Sequence, residues 1–334
     1  MSKQLDLPSA YDVARLAGVS QAAVSRAFTP GAKIADATRS LVLKAARELG
    51  YHPNLLARSL ITGRSGIIGV VIGNPRNTFY LEALDALSIR LGRAGLNLLV
   101  FTARAEDSCD ALVKALLSFR VDSLLLMSAS LSADLADQCL DKGISVIFFN
   151  RRPDPGKAFP SVTSANFLGA GRIAEHLLEQ GYRKLAVIVG SEHSSTSRER
   201  EIGFIAKVVS SGLPIPEKMA GGVGVGAEPA AQALLSRPDR PDAIFCTSDY
   251  MAMTAIETAR YRFGLTIGSD IGIAGFDDTE GASWPSFDLT TYSQPVEAMM
   301  DKVTEIILDP DDHDQNSHFA IEGELIVRSS TKRE

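Results

Sequence analysis

The length and composition of the chain exclude several classes of protein. Its 334 residues, 45% hydrophobic and 22% charged, predict two or three globular domains rather than one small core. We recognise no signal peptide and no segment of transmembrane length, and therefore expect a cytoplasmic protein without membrane association. The three cysteines lie far apart without a CxxC pair, which argues against a disulfide framework or a zinc site.

The net charge of −6 is distributed unevenly along the chain. Residues 1–66 contain nine basic and four acidic residues, whereas the remainder contains 25 basic and 36 acidic residues. A basic N-terminal segment on an acidic body is typical of a protein whose first domain binds phosphate groups. Solvated basic helices without such a partner would give the same imbalance.

The first 50 residues are predicted to form three short helices. Ser9 is placed to cap the first, with Asp12 in a capping-box position, and Gly18 is placed to end it in a left-handed turn. Ser20 would cap the second helix, and Gly50 would end the third. The helices would span about 10–17, 21–28 and 36–49. The side chains expected to face their core are Val13, Ala14, Leu16, Ala17, Val19, Val24, Ala27, Phe28, Leu41, Val42, Ala45 and Leu49.

The next segment, residues 53–61, is predicted to form a helix opened by Pro53 and Asn54 and followed by a polar linker. It would expose Leu56 and Leu60 without a core of its own. Leucines on an exposed basic helix suit a wedge that enters the minor groove and unstacks a base step. A linker helix that packs on the rest of the protein is the alternative.

From Gly66 onwards, apolar strands alternate with amphipathic helices. Parallel strands covered on both faces by helices have this pattern. The predicted strands lie at 66–73, 96–101, 122–127, 144–149, 184–190, 242–246, 270–276 and 324–328. The predicted helices lie at 78–94, 106–119, 131–142, 197–210, 249–263 and 296–308. Two such sets predict an α/β core of two doubly wound parallel-sheet lobes, with a ligand crevice at the carboxyl ends of the strands.

The second helix has the features of a DNA-reading helix in a helix-turn-helix. Gln21, Ala22, Ser25 and Arg26 share one face, and Gln and Arg can make paired hydrogen bonds to base edges in the major groove. Ser20 and Ser25 could bond phosphate oxygens and fix the register. The alternative is a solvated surface helix that happens to carry Gln and Arg.

Several motifs, in order and spacing, resemble those of the LacI/GalR (lactose/galactose repressor) family over essentially the whole chain. They are YDVARLAGVSQAAVSRAF, ELGYHPNLLARSL, NTFY, TSDYMAM, GFDDT and LIVRSST. The resemblance implies an effector-controlled transcription regulator, by family habit a repressor, that binds a pseudo-palindromic operator as a homodimer. The implied DNA-binding positions are Ser9, Tyr11, Ser20, Gln21, Ala22, Ser25, Arg26, Lys33, Asn54, Ala57 and Leu60. Ala35 departs from the family pattern, because it stands where a capping Ser is usual.

The resemblance also implies lobes like those of periplasmic sugar-binding proteins, with a small molecule bound between them. The implied effector-binding positions are Phe79, Tyr80, Met127, Ser128, Asn150, Arg200, Ser248 and Asp277. Their chemistry fits a polyol, and bidentate arginine leaves a sugar, a sugar phosphate and a sugar acid open. Core packing is the alternative for Phe79, and the neighbouring Asp249 is expected to cap a helix.

The expected domains follow from these assignments. They are a helix-turn-helix domain at 1–52, a hinge helix and linker at 53–65, an N-terminal lobe at 66–164 with 295–322, and a C-terminal lobe at 165–294 with 323–334.

An enzyme and a free sugar-binding transport module are the rival classes. The chain lacks the GxGxxG, GxxxxGK[ST] and GxSxG motifs, and its five histidines form no metal-binding spacing, so we expect no enzymatic activity, cofactor or metal. The basic head and the missing signal peptide oppose a transport module.

Overall fold

The computed structural model describes residues 8–29, 31–52, 64–103, 109–154, 158–221, 227–314 and 316–333. Its packing divides the chain into two compact units, Met1–Gly66 and Ile67–Glu334. In these described ranges, no helix is both long and apolar enough to cross a membrane. The helix predicted at 53–61 lies outside the described residues.

The first unit contains the three predicted helices, α1 (Ala10–Ala17), α2 (Gln21–Ala27) and α3 (Asp36–Leu49). The Ser9–Asp12 capping box is present at α1, and the Ser20 side chain caps α2. Gly18 and Gly50 follow α1 and α3 in the left-handed conformation, with φ of 67° and 65°. Side-chain caps therefore mark the starts of α1 and α2, and left-handed glycines mark the ends of α1 and α3.

The core of the first unit differs from the prediction at two leucines. Val13, Val24 and Val42 are buried at its centre. Leu16 and Leu41 are 51% and 53% exposed, so their predicted core positions are wrong. Leu41 lies about 100° around the helix from Val42, at the edge of the buried face formed by Val42, Ala45 and Ala46.

The second unit contains two six-stranded sheets, each with helices on both faces. Its strands are β1 (Ile67–Ile72), β2 (Asn97–Thr102), β3 (Ser123–Met127), β4 (Ser145–Phe149), β5 (Ser161–Ser164), β6 (Leu185–Val189), β7 (Glu217–Ala220), β8 (Ala243–Cys246), β9 (Gly272–Asp277), β10 (Thr290–Ser293), β11 (His318–Ile321) and β12 (Glu324–Ile326). Its helices are α4 (Phe79–Arg93), α5 (Cys109–Ser118), α6 (Ala133–Asp141), α7 (Asn166–Glu179), α8 (Ser195–Ser210), α9 (Ala227–Leu235), α10 (Asp249–Phe263) and α11 (Val296–Leu308).

The strand order defines two doubly wound lobes. The first sheet runs β11-β5-β4-β3-β1-β2 and the second β12-β10-β9-β8-β6-β7. All neighbouring strands are parallel except the antiparallel pair of β10 and β12. This arrangement confirms the predicted fold class.

The chain passes between the lobes three times, after β5, after β10 and after β11. On the last two passages α11 packs in the first core, β11 joins the first sheet, and β12 joins the second. Separate apolar clusters cover the two faces of each sheet. The carboxyl ends of the parallel strands in both lobes are therefore left to form the walls of a site.

Candidate functional site

The exposed face of α2 carries the side chains predicted to read DNA. Gln21, Ala22, Ser25 and Arg26 are all exposed, while Val24 on the opposite face is buried. The Nε atom of Arg26 donates a hydrogen bond to the Ala22 carbonyl oxygen at 3.2 Å. Within the described residues the guanidinium makes no other hydrogen bond or ion pair, so both of its terminal nitrogens are available to another molecule.

The other predicted DNA-binding residues of the first unit lie at helix ends or on its surface. Tyr11 is 61% exposed, and Lys33 is also exposed. The Ser9 hydroxyl donates to Asp12 Oδ2 at 2.7 Å, and hydrogen bonds from Ser9 lower the pKa of that carboxyl. No side chain caps α3 at Ala35, as its sequence implies. The three hinge positions lie outside the described residues; they are Asn54, Ala57 and Leu60.

A cavity of about 1160 Å³ lies between the two lobes, at the carboxyl ends of their strands. Six of the eight predicted effector-binding residues line this cavity, namely Tyr80, Ser128, Asn150, Arg200, Ser248 and Asp277. The parallel topology brings these residues together although they are up to 197 positions apart in the sequence.

Phe79 and Met127 are the two predicted effector-binding residues that do not line the cavity. Both are buried in the core of the first lobe. The Phe79 ring stacks on the Phe149 ring with centroids 5.8 Å apart and planes 6° apart. Each is followed by a residue that does line the cavity, because successive residues at a helix start or strand end point in different directions.

A buried ion pair forms the polar wall of the second lobe. Arg200 Nη1 lies 3.0 Å from Asp277 Oδ1 and 2.8 Å from the Thr247 carbonyl oxygen. Arg200 Nε donates to Asn166 Oδ1 at 2.8 Å, and the guanidinium lies over the Phe276 ring at 3.8 Å. These contacts fix the plane of the guanidinium before any ligand binds.

Asp277 accepts hydrogen bonds from both sides of the cleft. Gln294 Nε2 of the second lobe donates to Oδ1 at 2.6 Å, and Asn77 Nδ2 of the first lobe donates to Oδ2 at 2.9 Å. Burial raises the pKa of Asp277, and Arg200 together with the two amides opposes that rise by stabilising the carboxylate. Asp277 is therefore a direct link between the lobes.

Arg152 supplies two further links across the cleft. Its backbone N–H donates to Ser195 Oγ at 2.9 Å, and its guanidinium lies 3.5 Å from Glu199 Oε1. The lobes therefore meet at polar contacts that water or a ligand can replace.

Two buried polar atoms at the cavity have no partner within the described part of the chain, Arg200 Nη2 and Asn150 Oδ1. The Asn150 amide uses only its nitrogen, which donates to the Tyr80 hydroxyl at 3.1 Å. A buried polar atom without a hydrogen bond costs about 1–3 kcal/mol. A ligand with hydroxyl groups would satisfy both atoms, whereas an acid oxygen would satisfy only Arg200 Nη2, because Asn150 Oδ1 needs a donor.

Three strand ends at the cavity have unusual backbone conformations. Ser128, Asn150 and Asp277 follow or end β3, β4 and β9 with φ of 53°, 50° and 131°. Non-glycine residues rarely adopt positive φ, and such residues cluster at binding sites. Here the conformation turns the last residue of a strand towards the cleft.

Asp249 does not cap α10, which corrects the expected role. Its Oδ2 accepts a hydrogen bond from the Thr279 backbone N–H at 2.8 Å, and its Oδ1 accepts one from Thr291 Oγ1 at 2.6 Å. A Cβ atom on Gly275 would lie 2.3 Å from Oδ1, so only glycine leaves room for this carboxyl. Burial and the neighbouring Asp277 raise the pKa of Asp249 to about 7.

Several cavity residues were not predicted from the sequence. They include Arg76, Asn77, Ser130, Arg151, Thr196 and Tyr250. Most follow a strand by a few positions, as Arg151 follows β4, so the rule that strand-end loops carry ligand contacts could have found them. Within the described ranges, no group of three His, Cys, Asp or Glu side chains could hold a metal ion.

Comparisons with known proteins match both units. The model of bacterial regulatory proteins of the lacI family matches residues 9–54, and that of the periplasmic binding protein-like domain matches residues 174–331. The "HTH-type transcriptional repressor PurR" of Vibrio vulnificus (strain CMCP6) is 30% identical over 331 residues, covering 96% of this chain and 98% of the relative.

Two solved structures have the same fold. A lac repressor dimer bound to operator and the anti-inducer ONPF has a TM-score of 0.84 and 24% identity, covering 97% of this chain and 99% of that one. A complex of the transcriptional regulator CelR with cellobiose has a TM-score of 0.71 and 24% identity, with the same coverage.

Proposed function

Because the chain belongs to the LacI family of bacterial regulatory proteins, we propose that it is an effector-controlled repressor. It binds a pseudo-palindromic operator as a homodimer through α2, and a small molecule in the interlobe cavity changes that binding. Relatives with this architecture are named as transcription regulators, and the function proposed here involves no catalysis. Acting on chromosomal DNA, it would work in the cytoplasm at the nucleoid.

The exposed face of α2 is the observation that carries this proposal. Gln21 and Arg26 project from a helix whose other face is anchored by Val24 and Ala27 in the core. A rigid helix with such side chains fits the major groove, where each paired contact to a base discriminates by about 1–3 kcal/mol. Ser20 and Ser25 would contact phosphates and fix the register. Ser9, Tyr11, Ala22 and Lys33 are proposed contacts on the same grounds of position and exposure.

The domain boundaries belong to the proposal. The helix-turn-helix would span 1–52 and the hinge 53–65, with Asn54, Ala57 and Leu60 as its DNA contacts. The N-terminal lobe would comprise 66–164 with 295–322, and the C-terminal lobe 165–294 with 323–334. The strand order supports this division, because β11 joins the first sheet and β12 the second.

The cavity supports a polar, hydroxylated effector. Tyr80, Ser128, Asn150, Ser248 and the Arg200–Asp277 pair are proposed as its contacts, because they offer both donors and acceptors to hydroxyl groups. Solved proteins of the same fold were crystallised with cellobiose or D-xylulofuranose. A sugar, a sugar phosphate or a sugar acid fits this description.

Coupling between the two sites would be a shift between cleft conformations. The cross-lobe bonds of Asn77 and Arg152 stabilise one relative position of the lobes. An effector that binds more tightly to one position would shift the population, and with it the affinity for DNA.

Selection of DNA duplexes from a random pool by the full-length chain tests the proposal. We expect enrichment of a two-fold symmetric sequence and, by fluorescence anisotropy, selective binding at physiological salt. Arg26→Ala should reduce the preference for the selected sequence over random DNA about tenfold or more. The matched control is Arg47→Ala, which removes an exposed arginine of α3 and should retain the preference. Failure to enrich any sequence would contradict the proposal.

A further inference from the structure

The wall of the cavity carries an excess of positive charge. Among the described residues that line it, the side chains charged at neutral pH are Arg76, Arg151 and Arg200 and a single carboxylate, Asp277. Arg200 already pairs with that carboxylate at 3.0 Å. The charges of Arg76 and Arg151 therefore have no counter-charge on the described wall.

Arg151 is the arginine whose position most requires a partner. It is half-buried directly after the strained Asn150 at the end of β4, and its guanidinium has no hydrogen bond or ion pair within the described ranges. The next residue, Arg152, shows the contrast, since it pairs with Glu199 across the cleft. Arg151, which lines the cavity, has no such carboxylate partner among the described residues.

The surroundings of Arg151 make that unpaired charge unfavourable. Burial lowers the pKa of Arg151, and Arg198 of the opposite lobe lowers it further. The charge of the exposed Asp154 opposes both effects. A partly desolvated guanidinium near a like charge is stabilised when an anion binds to it.

The two arginine sites open onto the same cavity. Tyr80 lies within electrostatic reach of both Arg151 and Arg200, and its hydroxyl is held by Asn150. Arg200 Nη2 and Asn150 Oδ1, both unpartnered in the described part of the chain, lie at the same cavity. The cavity thus offers a site for an acid group beside a wall that suits hydroxyls.

We propose that the effector is a hydroxylated organic anion, whose acid group binds Arg151 while its hydroxyl groups bind the Arg200–Asp277 wall. The inference rests on the proposed function, because it names the ligand class of that cavity. A planar guanidinium binds a carboxylate or phosphate through two parallel hydrogen bonds, whereas a neutral sugar leaves its charge unpaired. Arg151 is therefore the residue that selects an acid over its neutral parent.

Matched ligands test this selection. Full-length protein is titrated calorimetrically with glucose, glucuronate and glucose 6-phosphate, and with galactose, galacturonate and galactose 6-phosphate. We expect at least one anion to bind tenfold or more tightly than its neutral parent. The comparison of carboxylates with phosphates identifies which acid group is preferred.

Substitutions at Arg151 test whether this residue causes the preference for an anion. Arg151→Gln should weaken the preferred anion about tenfold or more, because hydrogen bonds to charged groups contribute about 1.5–3 kcal/mol. Arg151→Lys keeps the charge but not the paired hydrogen-bond geometry. Its affinity for the anion should lie between those of the parent protein and Arg151→Gln. The control Arg240→Gln removes an exposed arginine outside the cavity and should bind like the parent protein.

Three results would overturn the inference. They are neutral sugars binding as tightly as the anions, no anion binding at all, and Arg151→Gln binding the anion undiminished. Sequence-selective DNA binding by the same preparation would still support the proposed regulator in each case, so the two proposals can fail separately.

Discussion

The second lobe holds its cavity-facing charges in a fixed network, whereas the cavity-facing arginines of the first lobe have no partner among the described residues. Arg200 and Asp277 bind each other and the surrounding Asn166, Thr247 and Gln294. In the described part of the first lobe, Arg76 and Arg151 have no such bonds. The network is preorganised to orient a ligand, while the unpaired arginines gain most when the ligand supplies a charge.

Removing Asp277 is expected to have the largest effect, because it breaks the fixed wall. Asp277→Ala leaves the Arg200 charge buried, with only 4% of that residue exposed, and without its counter-charge. Breaking a buried pair in this way costs about 3–5 kcal/mol in the free energy of unfolding. Trp284, the only tryptophan, lies in the second lobe and reports urea unfolding by fluorescence. A decrease of less than about 1 kcal/mol in the free energy of unfolding would contradict the view that this ion pair is a preorganised, buried part of the structure.

The pH dependence of stability tests the carboxyl behind that wall. The pKa of Asp249 rises from 3.8 to about 7 on folding, so between these values the folded protein binds a proton that the unfolded chain has released. The free energy of unfolding should therefore fall as pH rises, by about 2–3 kcal/mol between pH 5 and 7.

Asp249→Asn is the control for this pH effect. Asn can still accept from the Thr279 N–H and donate to Thr291 Oγ1, but it does not titrate. Urea unfolding of both proteins between pH 5 and 7 measures their free energies of unfolding. The difference between the two free energies should grow as pH rises. Parallel curves would show that Asp249 titrates alike in the folded and unfolded states.

The bond between the two walls should have a smaller effect on stability. Asn77→Ala removes the donor to Asp277 Oδ2 and also the acceptor of the Phe79 backbone N–H, so it should lower the free energy of unfolding by about 1–2 kcal/mol. It should also change the affinity for any bound sugar, because it alters the equilibrium between cleft positions. The matched control is Thr78→Ala, since the exposed Thr78 makes no capping bond. If both variants changed the free energy of unfolding and the ligand affinity equally, the hydrogen bond of Asn77 would not link the lobes.

The smallest effect is expected at Arg151. Arg151→Ala removes a guanidinium without partners in the described ranges, so the free energy of unfolding should change by no more than about 0.5 kcal/mol. Thermal denaturation without ligand measures this change. If Arg151→Ala lowered the free energy of unfolding as much as Asp277→Ala, the arginine of the first lobe would be held by stabilising contacts like those of the second lobe.

Local chemistry allowed the helices of the first unit to be predicted from the sequence. Ser9, Gly18, Ser20 and Gly50 act on their own helix ends, so their roles need no tertiary information. The exposure of Leu41 could not be predicted, because hydrophobicity alone does not say which residues of a helix meet a partner.

The missed elements of the second unit are those with weak local signals. The strands SVTS at 161–164 and TTYS at 290–293 are polar in sequence but buried in the sheets. Their burial depends on neighbouring strands, which hydrophobic periodicity does not reveal. The short strands at 217–220 and 318–321 and the helices at 166–179 and 227–235 were also not predicted.

The family resemblance predicted cavity residues at strand ends and on helices alike. Asn150 and Asp277 lie at strand ends, whereas Tyr80 lies on α4. The resemblance also implied Phe79, which α4 places in the core instead. The burial of Arg151 depends on tertiary packing, and its electrostatic surroundings include Arg198 of the opposite lobe, so no local pattern contains that information.

The three passages of the chain between the lobes have a consequence for how the protein is made. Neither sheet is complete until residues 318–326 have left the ribosome, because β11 and β12 are edge strands of different lobes. Contacts between distant segments form slowly, and unfinished sheets expose edges that aggregate. The described core of the first unit is formed within residues 10–51, so this core can form early in synthesis. A nascent chain would thus carry a finished DNA-binding unit before it has a cavity to control it.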